Sequence, residues 1–271
     1  MARNDSIIQQ QLDILRGTNA PAKEKKPIEI NADQLALFVG LVALMLPTVL
    51  LLFSLSPQFC FYDSISHFYF APFLGSYFVG CLGFIALFLF AYQGNTRSDK
   101  YMSILAGVAA IGVAIFPTSG AGCDYSFTEI ARVFTPFNGV DNTTHVVTTD
   151  ISFMGIQSQT IHMWSARILF GVLAWFCLVS FRRNNGSGVS RNRRAKKDES
   201  KYVKTAAKKR RNFVYLICGA GMLFCILWMI MILSEGHATN NQSIFWPETI
   251  ALYLFGFSWL VKSKVIKFLA D

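Results

Sequence analysis

Charge is what this sequence has least of. Asp, Glu, Lys and Arg make up 15% of its 271 residues, whereas a soluble domain carries about a quarter, so an ordinary water-soluble globule is excluded. No Asp, Glu, Lys, Arg or His occurs in 35–55, 68–92, 101–116 or 213–233. Histidine is scarce as well, with four in the chain. No HExxH, glycine-rich phosphate loop followed by Lys, or G-x-S-x-G is present, which removes the best-marked zinc-protease, nucleotide-binding and α/β-hydrolase readings. The first 34 residues are polar and show no n-region, h-region or small-residue cleavage site; the first apolar run is therefore expected to be its own insertion signal.

What is present is apolar: 53% of the residues are hydrophobic and 25 are Phe. Apolar runs of about 17 to 25 residues cross a ~30 Å hydrocarbon layer as helices. Six are expected, at 35–55, 68–92, 101–116, 161–181, 213–233 and 244–261, the fourth broken only by His162 and Arg167 and the last only by Glu248. The expected fold class is all-α, a six-helix transmembrane bundle with both termini on one side. Lys and Arg close to spans are held in the cytoplasm. With the N-terminus inside, the N-terminal arm, 93–100, 182–211 and the C-terminal tail place 23 of the 25 basic residues there, Arg132 and Arg167 being the exceptions. Cytoplasmic termini follow, and the net charge of +9 is explained without a nucleic-acid partner.

Residues 1–34 form a cytoplasmic arm in which Ile7, Ile8, Leu12 and Leu15 recur at nearly helical spacing. The polar face of that short helix has little Lys or Arg, so docking on protein competes with a lipid-surface role. Residues 35–271 form the membrane domain. Its loop 182–211 opens rich in Gly and Ser, then becomes basic and is expected to turn helical near "KYVKTAAKKRR". The basic run either captures anionic lipid at the inner leaflet or only fixes topology. The outer segment 117–160, with Phe127, Val133, Phe134, Phe137, Val146 and Val147, is expected to pack as a lid.

Cys81, Cys177, Cys218 and Cys225 fall within spans and read as small apolar fillers. Cys60 and Cys123 lie in outer connections, where an oxidising compartment allows a disulfide; free thiols in packed loops are the alternative. Asn142 and Asn241 head short N-glycosylation patterns. Ser76 with Gly80, and Ala106 with Ala110 and Ala114, are small residues four apart that let helices approach closely, within one chain or between chains.

The unusual residues gather at the outer side. "DSISHFYF" (63–70) opens the second span, His162 and Arg167 start the fourth, Glu248 lies about one turn into the sixth, and His145 and His237 are in outer loops. Charges within spans face a partner or a wet cavity, so Arg167 and Glu248 are expected to pair or share one polar pocket; the competing reading is an Arg167 that snorkels to the headgroups. If 63–70 is helical, Asp63 and His67 share a face, where a carboxylate sets the tautomer and basicity of an imidazole. Asp63 or Ser64 as N-cap is the structural reading. It leaves His67 unexplained.

A metal site needs three protein ligands and an open position. Intramembrane zinc amidases of the alkaline ceramidase and adiponectin receptor type use Ser-x3-His, an Asp and a terminal His-x3-His; here Ser64-x2-His67 and Asp63 stand beside solitary His162 and His237, without the paired element. Zinc would have to be held by His67, His162 and an acid on converging helices.

Taken together, "SISHFYFAPFLGSYFVGCLGFIALFLFAYQG", "AGVAAIGVAIFPT", "IHMWSARILFGVLAWFCLVSF" and "FWPETIALYLFGFSWLVKS" resemble a bacterial family of uncharacterised six-helix integral membrane proteins catalogued as a domain of unknown function. The resemblance runs from about the second span onward, outside the arm and basic loop. It implies a bacterial inner membrane and no particular activity. The family pattern, as the resemblance implies it, falls here on Ser64 to Ser66, Phe116 to Thr118, Ile161, His162, Ser165, Ala166 and Glu248. Three functions are carried forward: an outer-leaflet pocket of Asp63, Ser66, His67, His162, Arg167 and Glu248 that binds a lipid headgroup or other amphiphile; a metal-dependent intramembrane hydrolase; and a structural or assembly subunit.

Overall fold

A chain so poor in charge satisfies its backbone internally, and where water is absent the α-helix does this within a single segment. The computed structural model describes residues 32–56, 59, 61–92, 94, 96–116, 118, 152–183, 189–191, 202–234 and 243–269. The arm at 1–31, Cys60, Cys123, Arg132, His145, His237, Asn142, Asn241, the six apolar lid residues and most of loop 182–211 lie outside the described residues.

Six α-helices make up most of what is described: α1 Ala32–Ser54, α2 Pro72–Ala91, α3 Arg97–Ile115, α4 Ser158–Trp175, α5 Ala206–Ser234 and α6 Phe245–Lys262. A π-helical turn, Phe176–Ser180, prolongs α4, and two short antiparallel pairs join Ser152–Phe153 to Ile156–Gln157 and Val189–Arg191 to Tyr202–Lys204. Helices α1 to α5 are long and apolar enough to cross a membrane, as in a multi-pass membrane protein. Helix α6 is not among these five. It carries Glu248 in its first turn and Lys262 in its last, and lies against both α1 and α5, so protein rather than lipid covers much of its surface.

Each helix packs on its neighbour in sequence, and α6 returns to α1, which closes a ring. The α1–α6 seam depends on two glycines. A Cβ on Gly40 would lie 2.9 Å from the Gly256 carbonyl oxygen, and one on Gly256 2.9 Å from that of Gly40, so the two backbones touch there. Ala106, Ala110 and Ala114 of α3 are likewise buried within the chain, whereas space above Gly80 of α2 is open.

Several element boundaries differ from the sequence expectation, each for a local reason. Residues Ile65–Phe70 form a separate 3-10 helix, and the second span begins at Pro72 instead of Phe68. Proline lacks an N–H and suits the first helical turn, while the preceding Ala71 is held extended, at φ −64° and ψ 134°. Helix α3 reaches back to Arg97 because Thr96 and Asp99 form a capping box. Within "KYVKTAAKKRR", Tyr202–Lys204 is a strand and the helix starts at Ala206.

The two ends of the ring are chemically unlike. At one end, Arg183 bonds Asp99, Lys264 bonds Asp33, and buried Lys208 and Arg211 donate to the carbonyls of Phe181 and Leu269. Just inside it, fully buried Trp259 stands among Phe88, Tyr92, Phe176, Phe181 and Phe255 at centroid distances of 5.1 to 6.2 Å. At the other end the 3-10 helix, buried at all six positions, lies against α1, α2 and α6. His67, His162 and Glu248 are found here.

Candidate functional site

The site grows out of the cap of the 3-10 helix. Ser64 is extended (φ −141°, ψ 150°), and its Oγ accepts from the Ser66 N–H at 3.1 Å, the ordinary N-cap bond. The same hydroxyl donates to Glu248 Oε2 at 2.8 Å, and the Ile65 N–H reaches that oxygen at 2.7 Å. Glu248 thus closes the helix start with a carboxylate, and the Phe245 N–H donates to the Asp63 carbonyl at 2.6 Å. The mouth segment is thereby tied to the first turn of α6. Replacing Ser64 by Ala removes both the cap and one donor to Glu248, and is expected to cost about 1–2 kcal/mol. Thermal melting in detergent would show it as a lower midpoint than Ser66→Ala produces.

His162, buried at the start of α4, bonds the Phe116 carbonyl through Nδ1 at 2.8 Å. A carbonyl only accepts, so Nδ1 carries the hydrogen and Nε2 of the neutral ring is left as an acceptor. Arg167 is exposed, and its guanidinium carbon stands 5.2 Å from the Trp164 ring centroid, within cation–π range. It forms no ion pair among the described residues. The expected Arg167–Glu248 pair is therefore not formed, because Glu248 has turned to Ser64 and Ile65. What the two share is a cavity.

That cavity has a volume of about 290 Å³. Ser64, Ser66, His67, Thr118, Gln159, His162 and Glu248 give it a polar side, while Met163, Ala166 and Phe170 of α4 and Ile226, Met229, Ile230 and Leu233 of α5 give it an apolar one, with Arg167 on its border. Gln159, His162, Met163, Ala166, Arg167 and Phe170 recur three and four apart, the spacing of one helix face, over about 16 Å of axis. Helices α4 and α5 meet towards the basic end, where a Cβ on Gly219 would lie 2.5 Å from Leu178. The cavity occupies the space between them beyond that contact.

Compared with family models, curated proteins and solved structures, the chain matches none. Its chemistry must be read from the side chains themselves. Of the expected pocket residues, Ser66, His67, His162, Arg167 and Glu248 border the cavity. Asp63 does not: it precedes the 3-10 helix and is buried, so the α-helical face that would have aligned it with His67 is not formed. No group of three His, Cys, Asp or Glu side chains able to hold a metal exists among the described residues, and the zinc arrangement of His67, His162 and an acid is not assembled there.

Sequence reasoning named Ser64 and Thr118 without placing them in the pocket, and missed Gln159 and the whole α5 wall. Gln159 had a signal, standing three residues before His162 and so on its face. The apolar α5 residues had none, since nothing in a uniformly apolar run marks which face meets a cavity. Also missed was the buried polar cluster of the basic end, although Thr96-x-x-Asp99 before an apolar run is a readable capping box.

Proposed function

We propose that this is a six-span protein of a bacterial inner membrane, with both termini cytoplasmic, that holds a lipid headgroup or another amphiphile in the cavity at its outer end. The observation that carries this reading is the two-sided lining, polar along the 3-10 helix, His162 and Glu248 and apolar along α4 and α5. A wholly polar solute would leave the apolar wall wet, and a wholly apolar one would strand buried polar groups. An amphiphile suits both. Arg167 would hold an anionic group, with His162 Nε2 and the hydroxyls of Ser66 and Thr118 bonding the rest of the headgroup.

The orientation rests on charge. Arg97, Lys100, Arg183, Lys208, Arg211 and Lys264 belong to one end of the ring, which the positive-inside rule puts in the cytoplasm. Anionic inner-leaflet lipid at loop 182–211 fits the same orientation. Helix α6, sheltered by α1 and α5, serves as the sixth span. The family resemblance in the sequence agrees with this arrangement.

Native mass spectrometry of protein extracted in a mild detergent tests the reading. Wild type should retain a phospholipid, and Arg167→Ala should retain roughly tenfold less, the scale of one charge-assisted hydrogen bond, at unchanged expression and melting. Identical lipid in identical amount would remove the main support. Loss of folding without any ligand change would favour the structural-subunit reading.

A further inference from the structure

We infer that the cavity selects a phospholipid whose headgroup ends in a primary ammonium, with the phosphate at Arg167 and the ammonium at Glu248 and His162. This deepens the amphiphile reading and rests on it. Its starting point is that Arg167 and Glu248, which border the same cavity, do not pair with each other. Glu248 commits Oε2 to Ser64 and Ile65, and its Oε1 receives no donor from the described residues. His162 commits Nδ1–H to the Phe116 carbonyl, which leaves Nε2 able only to accept. Glu248 Oε1 and His162 Nε2 therefore stand as acceptors on the polar wall, beside the hydroxyls of Ser66 and Thr118, whereas the guanidinium of Arg167 is a donor only and needs an anion.

The order of these groups along α4 is also that of a phospholipid read from head to tail. His162 comes first, Arg167 lies five residues on, about 8 Å along the axis, and Phe170 follows, opposite the apolar stripe of α5. A lipid seated with its chains towards the middle of the bilayer would put its terminal group at His162 and Glu248, its phosphate at Arg167 and its chains against Phe170 and Ile226. Arg167 and Ile230 are exposed as well as bordering the cavity, so the gap between α4 and α5 lets the chains stay in the bilayer while the headgroup turns inward. A quaternary ammonium has no hydrogen to donate, and a glycerol headgroup offers a donor without the charge that Glu248 favours.

The test titrates the full-length protein, delipidated in detergent, with dioleoyl phosphatidylethanolamine, phosphatidylcholine and phosphatidylglycerol, bound lipid being read by native mass spectrometry. Wild type should bind the ethanolamine lipid about tenfold more tightly than either other lipid, the scale of one charge-assisted hydrogen bond. Glu248→Gln keeps an oxygen for Ser64 and Ile65, so its melting should hold, and it should reduce the ethanolamine lipid to the level of phosphatidylglycerol. Equal wild-type affinity for all three, still lowered by Arg167→Ala, would overturn ammonium selection and leave the amphiphile reading, with a phosphate at Arg167, standing. Selectivity that survives in Glu248→Gln would also overturn it. No binding of any of the three would overturn both readings.

Discussion

Gly256→Leu is expected to open the α1–α6 seam and destabilise the bundle strongly. A Cβ at that position would meet Leu44 Cγ at 2.8 Å and the Gly40 carbonyl oxygen at 2.9 Å. The leucine side chain can move, but the carbonyl belongs to α1 and can give way only if the helices separate. Over-packing a well-filled core costs about 1–3 kcal/mol, occasionally more, and here the obstacle is backbone at the seam that closes the ring. The upper end of that range is expected, a large share of a stability of about 5–15 kcal/mol. Fluorescence-detected size exclusion should show an aggregated or vanishing peak. Gly80→Leu is the control: nothing lies within 4 Å of a Cβ there, so its peak and melting midpoint should match wild type. Equal behaviour of the two variants would mean that the α1–α6 contact is not what holds the ring closed.

The second large effect is expected from Asp99→Ala. Asp99 is fully buried, and its Oδ1 accepts from Arg183 Nη1 at 3.0 Å while its Oδ2 accepts from the Thr96 N–H at 3.1 Å. Arg183 also donates to Thr96 Oγ1 at 2.7 Å. Removing the carboxylate breaks the capping box and leaves a partly buried guanidinium with the Thr96 hydroxyl and the Trp175 ring. Breaking a buried pair costs about 3–5 kcal/mol; Arg183 is 30% exposed, and its remaining access to water places the expected loss near 3 kcal/mol. Asp99→Asn, which keeps an oxygen for the Thr96 N–H, should cost less than half as much. Thermal melts of Asp99→Ala, Arg183→Ala and the variant carrying both, combined with wild type as a double-mutant cycle, would measure the coupling. A cycle that closes at zero would reduce the pair to a surface contact.

The helical fold was legible because lipid-compatible sequence leaves little choice. Runs without charge appear as helices close to where they were expected, and their ends shift by a few residues, as at Pro72, at the Thr96–Asp99 box and at Ala206 in the basic segment. Side-chain pairing was less legible. Arg167 and Glu248 were brought to one cavity, as their matching depths suggested, but depth along an axis does not say which way a side chain turns. Glu248 found a serine and a backbone N–H closer at hand. The polar wall of the cavity could be anticipated from His162 and Ser66, since polar residues in apolar surroundings announce themselves. The apolar wall could not, because Ile226 and Leu233 resemble their lipid-facing neighbours in every sequence property.

The stacked closure of the ring has an electrical consequence. Trp259 and its aromatic neighbours pack the interior near one end, and at the other the buried 3-10 helix lies against α1, α2 and α6. Packed side chains at both ends would carry much of a voltage applied across the bilayer. Ions would meet an insulator. The bundle should therefore leave a proton gradient undisturbed even while its outer cavity is open sideways to lipid, and purified protein in liposomes should hold a potassium diffusion potential as long as empty liposomes do.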